Sequence, residues 1–287
     1  MASAPSPDVV RELDLDRGGR AVHGYDTGPT GRADELVVAW HGGTPNTGEP
    51  PGPLLPLSRE LGVRWIGADR PGYGGSTPDP TATLATAVHD VAAVADALGV
   101  TRFAAVGHSG GGPRALAAAA LLPERTIAAV SMSGTAPWGA EGLDWFAGMS
   151  AGPARELEAA RAGREALEAL LAEGEDDPGM FTDGDLEALE SDWSWLLTVV
   201  RAATAGGTAG FVQDDLASMG PWGFDPATIR VPVRIVHGTA DRLVPVSHGA
   251  WLAERIPGAV LERVDGAGHV TVLRTAGDAL RRLREAH

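Results

Sequence analysis

The chain has 287 residues, 44% of them apolar and 21% charged, no cysteine and a formal net charge of −15. These values suit a globular chain with a sizeable core, and the missing cysteines exclude a disulfide framework, a thiolate zinc site and a cysteine nucleophile. The acidic balance argues against nucleic acid as a partner, and all 23 basic residues are arginine, which we read as compositional bias.

The first residues, MASAPSPDVVRELDLD, lack a basic start and an apolar stretch, so they read as a frayed tail and not as a secretory signal. The longest apolar stretch, ALAAAALL (115–122), falls short of the roughly 18–20 residues that a membrane span needs. A cytoplasmic location with no membrane partner is the expectation. The partner expected is a small-molecule substrate, and the sequence carries no sign of oligomeric state.

VVRELDL (9–15) and RAVHGYD (20–26) flank the turn-forming Asp16-Arg17-Gly18-Gly19 and predict a β-ribbon. Strands follow at ELVVAWH (35–41), VRWIGAD (63–69), FAAVGH (103–108) and IAAVSMS (127–133), with a helix at 82–98 where small apolar residues recur at helical spacing. Strands alternating with helices imply a mainly parallel sheet covered on both faces. The alternation stops near residue 136 and resumes at VPVRIVHG (231–238), AVLERV (259–264) and a helix over 272–286. Between them, 155–174 and 185–204 each read as one helix. Segment 136–224 carries a net charge of −13 and five of the eight tryptophans. It reads as an inserted helical lid over a core formed by 1–135 and 225–287.

GHSGG (107–111) fits G-x-S-x-G in the context that gives the pattern meaning, with a strand before it and a helix after it. Ser109 must sit on a sharp, strained turn to expose its hydroxyl, and Gly107 and Gly111 leave room for strand and helix to close together. HGGTP (41–45) ends another strand. A glycine turn there, together with the elbow, gives an oxyanion two backbone donors, Gly43 and Gly110, with Gly42 the near alternative. The serine needs a base and the base an orienting acid. His269 ends GAGH in a loop after the last strand, where a catalytic histidine belongs. His41 and His237 read as backbone anchors at strand ends, His108 packs under the elbow, and His248 reads as a surface residue. Asp241, in HGTADRLVP (237–245), is the acid, with a helix N-cap as its competing role and Glu141 as the second candidate. The order Ser109, Asp241, His269 is that of the G-x-S-x-G hydrolases.

Together with DRPGYGGS (69–76), these motifs resemble the α/β-hydrolase superfamily, in its lidded serine-hydrolase branch, over nearly the whole chain. The resemblance implies an α/β-hydrolase fold: a mainly parallel eight-stranded sheet with helices on both faces and a helical lid after the sixth strand. It implies hydrolase activity with no metal and no organic cofactor. Ser109 stands where epoxide hydrolases and haloalkane dehalogenases carry aspartate. The acidic lid is similar to that of prolyl iminopeptidases, whose elbow reads GGSWG. The expected activity is cleavage of an ester-type bond in a small to medium, largely apolar substrate, with Trp138 in the pocket and the lid carboxylates facing water. The alternatives are an aminopeptidase of the iminopeptidase type, a carbon–carbon bond hydrolase or other biosynthetic enzyme, and a slow-turnover ligand-binding protein. The acidic run EGEDDPGM (173–180) reads as a solvated loop.

Overall fold

Apolar runs of five to seven residues bounded by glycine and polar residues become the strands of a single sheet. A computed structural model describes residues 10–174, 177 and 179–287. Residues 1–9 of the expected N-terminal tail, and Glu175, Asp176 and Pro178 of the acidic run, lie outside the described residues, while the remainder of that expected tail, Arg11–Asp16, is a strand.

The ribbon β1 (Arg11–Asp16) and β2 (Ala21–Asp26) is antiparallel, with Arg11 opposite Asp26 and Asp16 opposite Ala21. Then come β3 (Leu36–His41), α1 (Leu55–Leu61), β4 (Val63–Ala68), α2 (Leu84–Ala97), β5 (Phe103–His108), α3 (Gly111–Leu121) and β6 (Thr126–Met132). Among the described residues five helices follow: α4 (Ala151–Ala162), α5 (Arg164–Glu173), α6 (Asp183–Glu190), α7 (Trp195–Thr204) and α8 (Ala209–Met219). The sheet resumes with β7 (Val233–Gly238), α9 (Val246–Arg255), β8 (Val260–Val264) and α10 (Ala276–Ala286). Its order is β1-β2-β4-β3-β5-β6-β7-β8; β2 runs antiparallel to β1 and β4, and the remaining pairs are parallel. The expected eight-stranded α/β architecture is therefore observed, with a helical insert after the sixth strand.

Every residue of β4 and β5 is buried, as parallel strands covered on both faces require. One face packs Val88, Val91 and Leu116 of α2 and α3, with Leu252 of α9, against Ala39, Ile66 and Ala105. The other packs Leu54, Leu273 and Leu280 against Trp40, Trp65 and Val106.

The insert departs from the sequence reading in three ways. The helix expected over 155–174 is cut at Gly163, whose φ of 121° no helix contains. The one expected over 185–204 is cut after Glu190, at Ser191 with φ −128° and ψ −109°. The last helix of the insert, α8, was not foreseen, because its apolar residues are interrupted by Gln213, Asp214 and Asp215. All three of these polar residues are buried.

His248 corrects its expected surface role. It is fully buried; its Nδ1 accepts from the Ala136 N–H at 3.1 Å and its Nε2–H donates to the Trp145 carbonyl at 2.8 Å. One imidazole thus fastens the entry of the insert to α9. Burial holds His248 down to about 4, which keeps the ring neutral so that Nδ1 can accept. Trp145, Trp193 and Trp222 are buried packing residues. Trp138 is a correction as well. It remains 36% exposed, and the Arg161 guanidinium stacks 3.9 Å from its ring centroid. The cation covers one face of the indole where an inward-facing wall was expected.

Candidate active site

The chemistry gathers at the carboxyl edge of the parallel strands, where β3, β5, β7 and β8 each deliver a loop. Between β5 and α3, Ser109 has φ 53°, a left-handed conformation rare for a residue with a Cβ. The turn is held by Ser109 N–H donating to the Met132 carbonyl at 2.9 Å and by Gly112 N–H donating to the Ser109 carbonyl at 2.8 Å. A Cβ on Gly107 would collide with the Gly111 backbone, and one on Gly111 with the His41 carbonyl. The two glycines are the condition for α3 to start directly behind β5. Ser109 is partly exposed, while His108 before it is buried.

His269 lies in the loop after β8. Its Nδ1 is 2.8 Å from Asp241 Oδ2. The other oxygen of Asp241 accepts from the N–H groups of Leu243 at 3.0 Å and Val244 at 2.9 Å. The local-turn role and the orienting role are thus both filled, one oxygen each, and the cap residue of α9 is Pro245. Burial alone would raise the Asp241 carboxyl, but the His269 imidazole and these hydrogen bonds bring it down to about 2. Glu141 is exposed, and its carbonyl accepts from Trp251 Nε1–H at 3.0 Å. His108 packs under the elbow as expected: its Nε2 bonds the His269 carbonyl at 2.8 Å and the two rings lie 4.8 Å apart. His237 is an anchor, bonded to the Val244 carbonyl at 2.7 Å. His41 is buried, and burial together with Arg70 and Arg114 holds it down to about 3, as a neutral ring.

Of the two expected oxyanion donors, Gly110 directly follows Ser109 at the start of α3, with helical φ and ψ. Gly43 abuts the nucleophile: a Cβ there would lie 3.2 Å from Ser109 Cβ. With the Asn46 amide turned so that both its atoms are paired, its oxygen accepts from Gly43 N–H at 3.1 Å and its nitrogen donates to the Pro45 carbonyl at 2.7 Å. Asn46 therefore holds the very N–H that the sequence assigns to the oxyanion.

A model of the α/β hydrolase fold matches residues 35–274. The chain belongs to the α/β-hydrolase fold family. A non-heme chloroperoxidase from Streptomyces lividans is 30% identical over 246 residues, covering 83% of this chain and 87% of that protein. A 2-hydroxy-6-oxononadienedioate/2-hydroxy-6-oxononatrienedioate hydrolase from a Pseudomonas species is 27% identical over 250 residues, with 83% of each chain covered. Among solved structures, a thermophilic esterase from Thermogutta terrifontis superposes with a TM-score of 0.70 at 20% identity, over 96% of this chain and 99% of that one. The enol-lactonase from Burkholderia xenovorans LB400 gives 0.69 at 20% identity, over 95% and 98%. At these identities the superpositions speak for the fold alone.

Within this α/β-hydrolase frame the insert reaches the catalytic edge through buried carboxylates, contrary to the expectation that they face water. Asp214 of α8 is 5% exposed and lies between two buried arginines. Arg70, from DRPGYGGS, donates to it through Nε at 2.8–2.9 Å and approaches it through Nη2 at 2.6 Å, and Arg114 of α3 donates at 2.7 Å. The Thr44 and Tyr73 hydroxyls donate to it at 2.8 and 3.1 Å. Arg70 also donates to the carbonyls of Gly42 at 2.9 Å and Gly43 at 2.6 Å, and Arg114 donates to that of Gly110. The two cations thus grip the carbonyls of Gly42, Gly43 and Gly110, in the two glycine turns on either side of Ser109. Burial works against the Asp214 charge, yet Arg114 and Arg70 hold its carboxyl below the usual range. Beside it, Asp215 and Glu156 share a hydrogen bond. Burial pushes both up, and the charges of Glu156 and Asp214 push Asp215 further. Sequence reasoning missed Asn46, Arg70, Arg114, Asp185 and Asp214. The signal present was DRPGYGGS itself, and a Thr182-x-x-Asp185 spacing that marks a helix start.

Proposed function

We propose that the protein is a serine hydrolase that cleaves an ester-type bond of a small to medium, largely apolar substrate through an acyl-enzyme. The observation that carries this reading is the bonded Asp241–His269 pair, with His269 packed on His108, directly before a serine in left-handed backbone at a strand-to-helix turn. In this reading Ser109 Oγ attacks the carbonyl carbon and its proton passes to His269 Nε2, because Nδ1 is committed to Asp241. The charge that develops on the carbonyl oxygen is met by Gly110 N–H and by Gly43 N–H, released from Asn46. The protonated imidazole then delivers its proton to the leaving alcohol, and water reverses the sequence to free the acid. The Asp241 carboxylate, held down to about 2, stays charged and stabilises the imidazolium. Residues 136–224 act as the lid over the site in this reading, and the ring cluster of Trp138, Trp145 and Phe146 belongs to the packing of that lid.

The test is a fluorophosphonate probe followed by peptide mapping, with a series of p-nitrophenyl esters of increasing acyl length. A single adduct on Ser109, absent in Ser109→Ala, and turnover that improves with chain length support the reading. An unlabelled wild type, or an adduct elsewhere, rejects it.

The buried insert carboxylates give an aminopeptidase a specific observation in its favour, since a substrate amine needs such a partner. Asp214 is already taken by two arginines, and the raised Glu156–Asp215 pair retains a proton, so the ester reading stands ahead. Pairing each aminoacyl ester with its N-acetyl form separates the two; a preference for the free amine of about tenfold, roughly 1.4 kcal/mol, overturns it.

A further inference from the structure

Asp185, on α6 of the insert, is a carboxylate only 1% exposed. It accepts five hydrogen bonds, and four of them come from the loop that carries His269. Oδ2 takes His269 N–H at 3.2 Å; Oδ1 takes Val270 N–H at 2.9 Å, Thr271 N–H at 2.8 Å and the Thr271 hydroxyl at 3.0 Å. The fifth, from Thr182 N–H at 3.1 Å, closes a capping box at the start of α6, with Asp185 N–H donating to Thr182 Oγ1 at 3.1 Å. Three consecutive backbone N–H groups converging on one carboxylate form a concave anion-binding turn. Gly268 is required beside it, because a Cβ there would collide with Asp185 Oδ2. Burial opposes the charge, but the N–H donors outweigh it and keep the carboxyl below its usual range.

His269 is thereby fixed at three points on three different elements. Its N–H is held by Asp185, its ring nitrogen by Asp241 and its carbonyl by His108. The sheet supplies the last two, and the insert supplies the first.

We infer that Asp185 is a positioning residue for the base, so that the insert sets the aim of His269 as well as covering the site. This rests on the reading of His269 as general base. A misplacement of about 1 Å costs on the order of 10²-fold in rate, so a loosened loop shows in turnover before it shows in binding.

The experiment compares four variants of the full chain. In Asp185→Asn one oxygen becomes an NH₂ group facing donors, either His269 and Thr182 N–H or those of Val270 and Thr271. In Gly268→Ala the carboxylate is forced off the loop while Asp185 and the α6 cap remain. Thr182→Ala removes only the α6 cap, and Asp185→Glu keeps the charge at a longer reach. Asp185→Asn and Gly268→Ala should lower kcat on p-nitrophenyl acetate by at least about tenfold, with KM changed less than about threefold. They should slow fluorophosphonate labelling equally and broaden or shift the His269 Nδ1–H proton resonance. Asp185→Glu should recover part of the loss. Thr182→Ala should lower the melting temperature but keep kcat and the resonance. Normal kcat and labelling in both Asp185→Asn and Gly268→Ala, or an equal loss in Thr182→Ala, would overturn the inference. If Asp185→Asn fails to fold, Gly268→Ala decides. A wild type that the probe does not label defeats the hydrolase reading instead, and the His269 resonance, which needs no turnover, then decides the positioning role.

Discussion

Replacing Asp214 by Asn tests the most heavily loaded group in the insert. The change keeps shape and removes charge, leaving Arg70 and Arg114, 4% and 1% exposed, with no counter-ion between them. An amide offers one acceptor where the carboxylate serves two guanidinium groups and two hydroxyls. Breaking a buried ion pair from one side costs about 3–5 kcal/mol, about a fifth or more of a typical stability of about 5–15 kcal/mol. With an unfolding entropy of about 2.1 cal/mol/K per residue, a chain of this length carries about 0.6 kcal/mol/K, so Tm should fall by about 5–8 °C. Calorimetry and urea unfolding at neutral pH read this directly. The sign of the pH dependence follows from the lowered carboxyl of Asp214. Its contribution is fully present above the unfolded value near about 4 and is lost as pH falls through the folded value, so variant and wild type should converge on acidification. An Asp214→Asn protein within about 1 kcal/mol of wild type would refute the idea that this carboxylate balances the two arginines.

Four further outcomes are expected. Asp241→Asn should keep the fold and lose turnover by up to about 10⁴-fold, as an amide favours the wrong imidazole tautomer; near-normal turnover would move the acid elsewhere. Because Asp241 is held down to about 2, its stabilising contribution is fully present above the usual carboxylate range of about 4 and is lost as pH falls toward that lower value, so the stability gap between wild type and Asp241→Asn should close only on acidification, and a gap that acidification leaves unchanged in urea titrations would refute this. Glu156 is raised to about 7 beside Asp215, so the folded state binds more protons than the unfolded one and stability should decline as pH climbs from about 4.5 toward 7; Glu156→Gln should flatten that slope in urea titrations, and an unchanged slope would count against the pair. His248→Phe leaves a buried N–H and a buried carbonyl unpaired, at roughly 1–3 kcal/mol each, and should expose the Ala136–Trp145 segment to hydrogen exchange.

What the sequence made legible was local. Strands declare themselves by short apolar runs, and the elbow, the HGG turn and GAGH each sit inside a stretch of five residues or fewer. The order of Ser109, Asp241 and His269 needed only the alternation of strands and helices. The break at Gly163 escaped because a single glycine is tolerated in a helix at about 1 kcal/mol, and only its φ of 121° shows that it ends one. Burial of the insert's acids was illegible for another reason. Asp214 meets Arg70 across 144 positions, and Asp185 meets the His269 loop across 84 to 86. Local composition gives such acids the look of a solvated face. Trp138 went the same way, since its cover is Arg161, a residue whose approach no periodicity announces.

The reach of the insert into the sheet domain bears on how enzymes of this shape can be recombined. Exchanging 136–224 for the corresponding stretch of a relative looks like swapping a cover between jars of one size. Here the graft would orphan the two arginines behind the glycine turn, the three amides at 269–271 and the imidazole of His248, all of which stay on the recipient side of the cut. A chimaera that respects only the chain boundaries leaves unmatched groups at the carboxyl edge of the sheet. Core and insert must therefore change together, and a workable exchange carries positions 70, 114, 248 and 268–271 along with the helices.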